Sequence, residues 1–349
     1  MTSSYRRLIA NRIYQNPILL MISGFIAGFL TALVIFFFEN IIGLSGDALI
    51  PLRYPLKTPL IITKKIAGKI TVTKITTTVI GTHAIMNELP EFFTWVMLFT
   101  IHTGAAVALG LAAYQKLRKN FNTSQIDQKE VVISLILVLL MMIISSTSYI
   151  VPFNSGGYYH WPAIPLNHMW PKIILLLAIS ISAAGVSVLG LILSGCACMK
   201  LVREEFQENI IERYFELKEA MECFLMITGY ILSSGMITVY FFMATEKDLN
   251  MAKYFDIHGL TLFGLIFTVF IATTFIPCKL LLSDLGRAII IKQMGAMPAT
   301  TAELKTWIET SEGMEKYLQL KFDAVETIKY AIPVLAPILS SFLPGIFKS

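Results

Sequence analysis

Residues 172–195 read KIILLLAISISAAGVSVLGLILSG, with a single charge, Lys172, at the very edge. A helical crossing of a bilayer's hydrocarbon core takes about 20 consecutive apolar residues, and this run is long enough. Inside lipid the backbone must satisfy its own hydrogen bonds, so such a run has to be helical. Working outward, five further stretches qualify: 17–38, 93–113, 131–151, 224–243 and 258–278, none containing Lys, Arg, Asp or Glu. The predicted fold class is an all-α polytopic membrane protein of about six transmembrane helices.

Composition points the same way. The 349 residues are 55% hydrophobic and 15% charged, with a mean hydropathy of +0.68, whereas a soluble domain carries about 25% charge. A soluble enzyme, a disordered tail and a nucleic-acid-binding module are excluded, and the first partner implied is the lipid bilayer. Arg6, Arg7 and Arg12 precede the first run. That run is too long for a signal peptide and no small-residue cleavage site follows, so it reads as a retained anchor.

Lys and Arg near the span ends set orientation. With the N-terminus inside, the inner short segments hold eleven basic residues, and the outer short loops hold only Lys172, Lys247 and Lys253. The expectation is a multi-pass protein of the bacterial inner (cytoplasmic) membrane with both termini cytoplasmic. Loop 39–92 opposes the rule with Arg53, Lys57, Lys64, Lys65, Lys69 and Lys74, but loops approaching 60 residues translocate with less regard to charge.

Domain organisation follows as a transmembrane domain, 1–278, carrying an extracytoplasmic insert, 40–92, and a cytoplasmic helical tail, 279–349. Within the insert, residues 60–80 read LIITKKIAGKITVTKITTTVI. Ile66, Ile70 and Val72 share one parity while Lys65, Lys69, Thr71 and Thr73 take the other, about a Gly-containing turn, which reads as a β-hairpin. Isolated hairpins are marginal in water. This one is expected to pack on the helices or on a neighbouring subunit's hairpin, with a basic face toward anionic headgroups or an acidic partner. A solvated lid is the simpler alternative.

The second outer loop, 153–171, carries Tyr158, Tyr159, Trp161 and Trp170, the amphipathic aromatics of a membrane–water boundary. They read as interfacial anchors or as the lip of an outer vestibule. On the inner side, Glu204, Glu208, Glu212, Glu216 and Glu219 recur at helical spacing. The stretch 199–222 is read as a helix continuing the fourth span inward, with Lys218 and Glu222 as an i,i+4 pair. Its acidic stripe is either a solvated face or a ring at a cation entrance.

Beyond 278 the amphipathic pattern persists to Lys292 and breaks at Gly295 and Pro298. Thr300 and Glu303 form a capping box opening a helix through Leu304, Trp307 and Ile308, and a second helix is expected from about Ser311 to Lys329. The last apolar stretch, 331–347, contains Pro333, Pro337 and Pro344. Three helix breakers in it favour a re-entrant, interfacial or bundle-packed segment over a seventh span.

Chemistry-bearing residues are sparse. Ionisable groups inside spans usually mark coupled transport, and here the one well inside, cysteines apart, is His102. It reads as a packing histidine or as a pore-lining, proton-sensing group; a haem ligand would need a partner at matching depth. His83, His160, His168 and His258 all fall near the outer side. Cys196, Cys198, Cys223 and Cys278 fall near the inner face, as free thiols in a reducing compartment. No metal or other cofactor is implied. Gly24-x-x-x-Gly28 followed by Ala32, and Gly104, Ala108 and Ala112, are small-residue stripes that let helices approach closely.

Hydroxyls crowd the spans, and Ser145, Ser146, Ser148, Ser233 and Ser234 join His102 as pore or gating candidates. No nucleophile elbow, phosphate loop or zincin motif is present, so no catalytic residue and no enzymatic activity are expected. The leading expectation is an oligomeric protein, a homo-oligomer, that forms or gates a pore for ions or small solutes and is regulated from its cytoplasmic tail. Two alternatives stand beside it. One is a non-catalytic subunit or scaffold of a larger envelope assembly (secretion, conjugation or defence) with protein partners at the outer hairpin and the tail; the other is an uncoupled small-solute transporter.

Overall fold

In the computed structural model of the chain, the described residues are 17–37, 61–66, 69–74, 90–121, 129, 131–136, 138–139, 169–203, 209–248, 257–295, 301–320 and 324–346. The charge-free runs become helices, several of which overshoot them. These are α1 (Pro17–Phe37), α2 (Pro90–Asn120), α3 (Met169–Arg203), α4 (Ile210–Asp248) and α5 (Ile257–Met294). Proline opens α1 and α2, where its missing N–H leaves no bond unmade. Bases close others: Arg118 and Lys119 on α2, Lys200 and Arg203 on α3, Lys292 on α5, the sign that favours a helix C-terminus. All five are long and apolar enough to cross a bilayer, so the protein is membrane-integral and α-helical. The expected third span enters the described residues only at 131–136 and 138–139, which are helical.

Helix α4 is the hub. It packs against α2, α3, α5 and the C-terminal helix α7 (Ala324–Ile346), while α1 packs chiefly on α2. The core runs through Leu191, Tyr214, Leu217, Met221, Phe224, Ile271 and Leu285. Small residues set the close approaches. A Cβ added at Gly28 would stand 3.0 Å from the Gly104 Cα, and one at Gly104 would stand 3.0 Å from the Phe25 carbonyl oxygen. The two glycine stripes are thus one seam between α1 and α2. At Gly190 an added Cβ would enter the ring of Phe224, 2.5 Å from Cζ, which seals α3 on α4. Outside, α1 presents Ile18, Ile22, Phe25, Ile26 and Leu30 on an exposed apolar face.

The segments from 199 to 222 and beyond 278 differ from the sequence reading. α3 ends at Arg203, and the amphipathic residues from Ile210 belong to the start of α4, so they extend the fifth predicted span rather than the fourth. α5 closes on Gly295 at φ +72°, whose N–H reaches the Ile291 carbonyl at 3.1 Å, a left-handed cap that suits glycine. Helix α6 (Thr301–Tyr317) runs through Ser311 without a break. It ends when the Leu320 N–H bonds to the Glu315 carbonyl and the Gln319 N–H to the Lys316 carbonyl, with Gln319 at φ 55°. That is a Schellman turn with glutamine where glycine is usual.

The three prolines do not interrupt α7, a 23-residue helix. Near Pro337, the Ile338 N–H reaches Thr268 Oγ1 of α5 at 3.3 Å. Neighbouring helices and hydroxyls re-satisfying a proline-disturbed backbone are what make proline tolerable in apolar surroundings.

Strands β1 (Ile61–Ile66) and β2 (Lys69–Lys74) pair antiparallel with Ile66 opposite Lys69, Lys65 opposite Ile70 and Thr63 opposite Val72. Opposed residues point to the same side of a pair, and a two-residue turn inverts parity from one strand to the next. Positions 61, 63, 65, 70, 72 and 74 share one face, and 62, 64, 66, 69, 71 and 73 the other. In this register each face carries two of the lysine positions.

Candidate functional site

Polar side chains gather at two levels of the bundle. The first is the α2–α4 seam. His102 is buried, and its Nδ1 lies 2.9 Å from Ser234 Oγ, with the Phe99 ring stacked at 6.3 Å. Ser234 Oγ also lies 2.8 Å from the Tyr230 carbonyl. With its one proton on that carbonyl, the hydroxyl accepts from the imidazole Nδ1–H. Ser233, the adjacent candidate, donates to the Gly229 carbonyl at 2.6 Å.

Most other interior hydroxyls turn back onto their own helix. Thr100 donates to Val96, Thr103 to Phe99, Ser194 to Gly190 and Thr238 to Ser234. Ser187 and Thr228 also meet each other at 2.8 Å between α3 and α4. This i→i−4 bonding lets a hydroxyl sit in an apolar wall without an unmet donor. Among the described residues Ser180 Oγ, Asn120 Nδ2 and Trp307 Nε1 are buried without a hydrogen-bond partner.

The second level is a charged knot where α2 ends, α4 begins and α7 begins. Glu222 of α4 is its centre. Lys329 Nζ donates to Glu222 Oε2 at 2.5 Å and Tyr330 Oη donates to Oε1 at 2.6 Å. Lys279 Nζ of α5 donates to Tyr330 Oη at 3.1 Å and lies 4.4 Å from its ring centroid. Lys116 of α2 pairs with Glu219 at 2.5 Å. Arg213 holds Glu216 at 2.7 Å and donates to the Asn120 carbonyl at 2.5 Å. Tyr214 Oη donates to the Leu318 carbonyl at 3.0 Å, and Lys218 donates to Gln319 Oε1. Four helices, α2, α4, α5 and α7, and the turn that follows α6 are tied together by these contacts.

The glutamate stripe is thus drawn into the knot in part. Glu216 is half-buried against Arg213 and Glu219 is paired across to α2, whereas Glu212 is exposed in the first turn of α4. Glu204, Glu208, Ser145, Ser146, Ser148, Tyr158, Tyr159 and Trp161 lie outside the described residues, and Trp170 sits in the first turn of α3. The structure brings together His102 and Ser234, and none of the other described candidates joins them. Cys198 and Cys278 are buried, and Cys196 and Cys223 are half-buried thiols. Among the described residues no three of His, Cys, Asp and Glu converge in a metal-holding arrangement.

Sequence reasoning passed over Lys279 and Tyr330, took Lys329 only as a helix end and paired Glu222 with Lys218, whereas Glu222 accepts from Lys329 and Tyr330 and Lys218 donates to Gln319. A signal existed. Lys116 follows the uncharged run 92–115, Glu222 precedes 223–245, Lys279 follows 257–278 and Lys329 precedes 330–347. Because successive crossings alternate in direction, these four charges fall at the same end of their runs and are available to pair. No family model, curated protein or solved structure matches the chain.

Proposed function

We propose that the protein is a non-catalytic, membrane-integral subunit or scaffold of a larger envelope assembly, anchored by its bundle and docking partners through the hairpin and the inner helical unit. The observation that supports this is the way interior polar groups are used. Apart from Ser180, the hydroxyls named above bond to their own helix or to one neighbour, and the inner charges bond to one another, so these side chains cement helices together. In this reading the N-terminus and the knot face the cytoplasm of a bacterial inner membrane, the hairpin lies on the outer side, and no enzymatic chemistry is performed.

A second reading has its own support. His102 is hydrogen-bonded to Ser234 at a seam between two spans. In that reading homo-oligomers form or gate a pore between copies, opened by movement of α2 against α4 and regulated from the inner unit. An uncoupled small-solute transporter is the weakest of the three, because it needs a solvated interior that the hydroxyl bonding does not favour.

Reconstitution with native mass spectrometry separates them. The tagged full chain, extracted in mild detergent, is expected to carry a second polypeptide in fixed ratio that is lost when 45–90 is deleted, and to pass no ions in liposomes alone. A pure homo-oligomer that conducts ions would overturn the scaffold reading in favour of the pore. Saturable uptake without conductance would favour the transporter.

A further inference from the structure

The C-terminal helix reads differently once its neighbours are laid out by depth. Between Lys329 and Lys348 lie 18 consecutive residues without a charge, the length that marks a crossing. The residues along α7 meet their neighbours in strict order. Tyr330 touches Glu222 and Phe275, and a Cβ on Gly229 would meet Pro333. Ile338 bonds to Thr268, and a Cβ on Gly264 would meet Pro337 and Ser341. From 330 to 341 α7 advances about 16 Å at 1.5 Å per residue, while its contacts on α5 retreat from Phe275 to Gly264 by the same eleven residues. α7 therefore runs antiparallel to α5, in step with it, and parallel to α4. Its last residue, Ile346, stands five further on, which brings it to the level where α5 begins at Ile257.

A re-entrant segment reverses part-way, and α7 is one continuous helix. An interfacial helix lies across the bundle, and α7 lies along it. Its inner stripe is Tyr330, Pro333, Pro337, Ser340 and Ser341, all buried. Its outer stripe is Ile328, Ile332, Leu335, Leu339 and Phe342, each more than 40% exposed. Small and polar residues inward with large apolar residues outward is the arrangement of a helix whose outer solvent is lipid. That face continues the exposed apolar residues of the helices it packs on, Met226 and Tyr230 of α4 and Leu262, Leu265 and Val269 of α5.

We propose that α7 is a full transmembrane helix bathed in acyl chains, so that the C-terminus emerges on the membrane face opposite the α5–α6 turn and the charged knot. The charge rule does not oppose it. The basic residues from Lys279 to Lys329 stay on the knot side and only Lys348 is moved across. This reverses the both-termini-cytoplasmic expectation and holds whichever functional reading stands.

The test uses the full chain in right-side-out and inverted vesicles. A membrane-impermeant maleimide is applied to Lys348→Cys and, separately, to Thr310→Cys on α6, and labelling is read by peptide-resolved mass spectrometry so that the native thiols are scored apart. The two positions are expected to label from opposite sides. Labelling from the same side would overturn the proposal. On the unsubstituted chain, a photoactivatable carbene dissolved in the acyl-chain region is expected to insert at Ile332, Leu335, Leu339 and Phe342 and to spare Ser340 and Ser341. Insertion absent from α7 while present on α5 would overturn it independently of any substitution.

Discussion

Replacing Glu222 with alanine tests whether the knot holds the bundle together or merely decorates its end. Two glutamate–lysine pairs in it have the same 2.5 Å separation and different surroundings. The Glu222 side chain is 18% exposed and that of Glu219 is 74% exposed. Glu222→Ala removes the acceptor of the buried Tyr330 hydroxyl, a charge-assisted bond contributing about 1.5–3 kcal/mol. It also removes the ion pair with Lys329, whose half-exposed ammonium regains water, so that this share stays below about 1 kcal/mol. The expected loss is roughly 2–4 kcal/mol. Glu219→Ala should cost at most about 1 kcal/mol, because water screens the exposed carboxylate. Steric trapping of the folded protein in bicelles reads both values. A cycle with Tyr330→Phe isolates the hydroxyl's share, and the double variant should lose less than the sum of the singles. Equal losses for Glu219 and Glu222, or strict additivity with Tyr330→Phe, would refute the reasoning.

Other expectations follow from the same contacts. Gly28→Leu should displace α1, since even a single Cβ there would stand 2.9 Å from Val107, and faster proteolytic release of α1 from the folded protein would register it. Gly313→Ala, with open space around its position in α6, should be neutral or stabilise by up to about 1 kcal/mol, whereas Gly190→Ala would drive a methyl into the Phe224 ring and lower the thermal midpoint. Ser234→Ala should leave the His102 imidazole without its bonded oxygen and cost about 1–3 kcal/mol; His102→Leu with Ser234→Ala together should recover part of that loss in the same unfolding assay. In mild detergent, Cys196 and Cys223 should react with a thiol reagent faster than the buried Cys198 and Cys278, as read by time-resolved mass spectrometry.

The spans were legible because lipid imposes a rule that few sequences satisfy by accident, and runs such as 172–195 and 258–278 satisfy it without a charge inside. The glycine seam of α1 on α2 was legible for a similar reason: Gly24, Gly28, Gly104 and Ala108 repeat at the four-residue spacing of one helical stripe. What failed to carry was anything that depended on a partner. Proline in 331–347 was weighed by its cost in water, with no neighbour considered; beside α4 and α5 the backbone next to Pro337 has Thr268, whose hydroxyl accepts the Ile338 N–H, and the helix has a glycine-lined bed. Parity in 61–74 was read along the chain, although a two-residue turn exchanges the faces between strands. Ser311 looked like a helix start, yet α6 was already under way and the stop lay at Gln319, set by backbone bonds that no residue type announced. Of the candidate site, His102 was visible as an intramembrane histidine, but its partner Ser234 lies 132 residues away.

The bed that receives α7 also constrains how the protein is made. Gly229 and Gly264, which floor it, and Glu222, which closes it, are synthesised about a hundred residues or fewer before the helix that covers them. Until the ribosome has finished the last segment, α4 and α5 must wait in the membrane with a groove between them and an unclaimed carboxylate at its mouth. A stop codon placed before Ala324 would leave that groove unfilled and Glu222 without Lys329 and Tyr330.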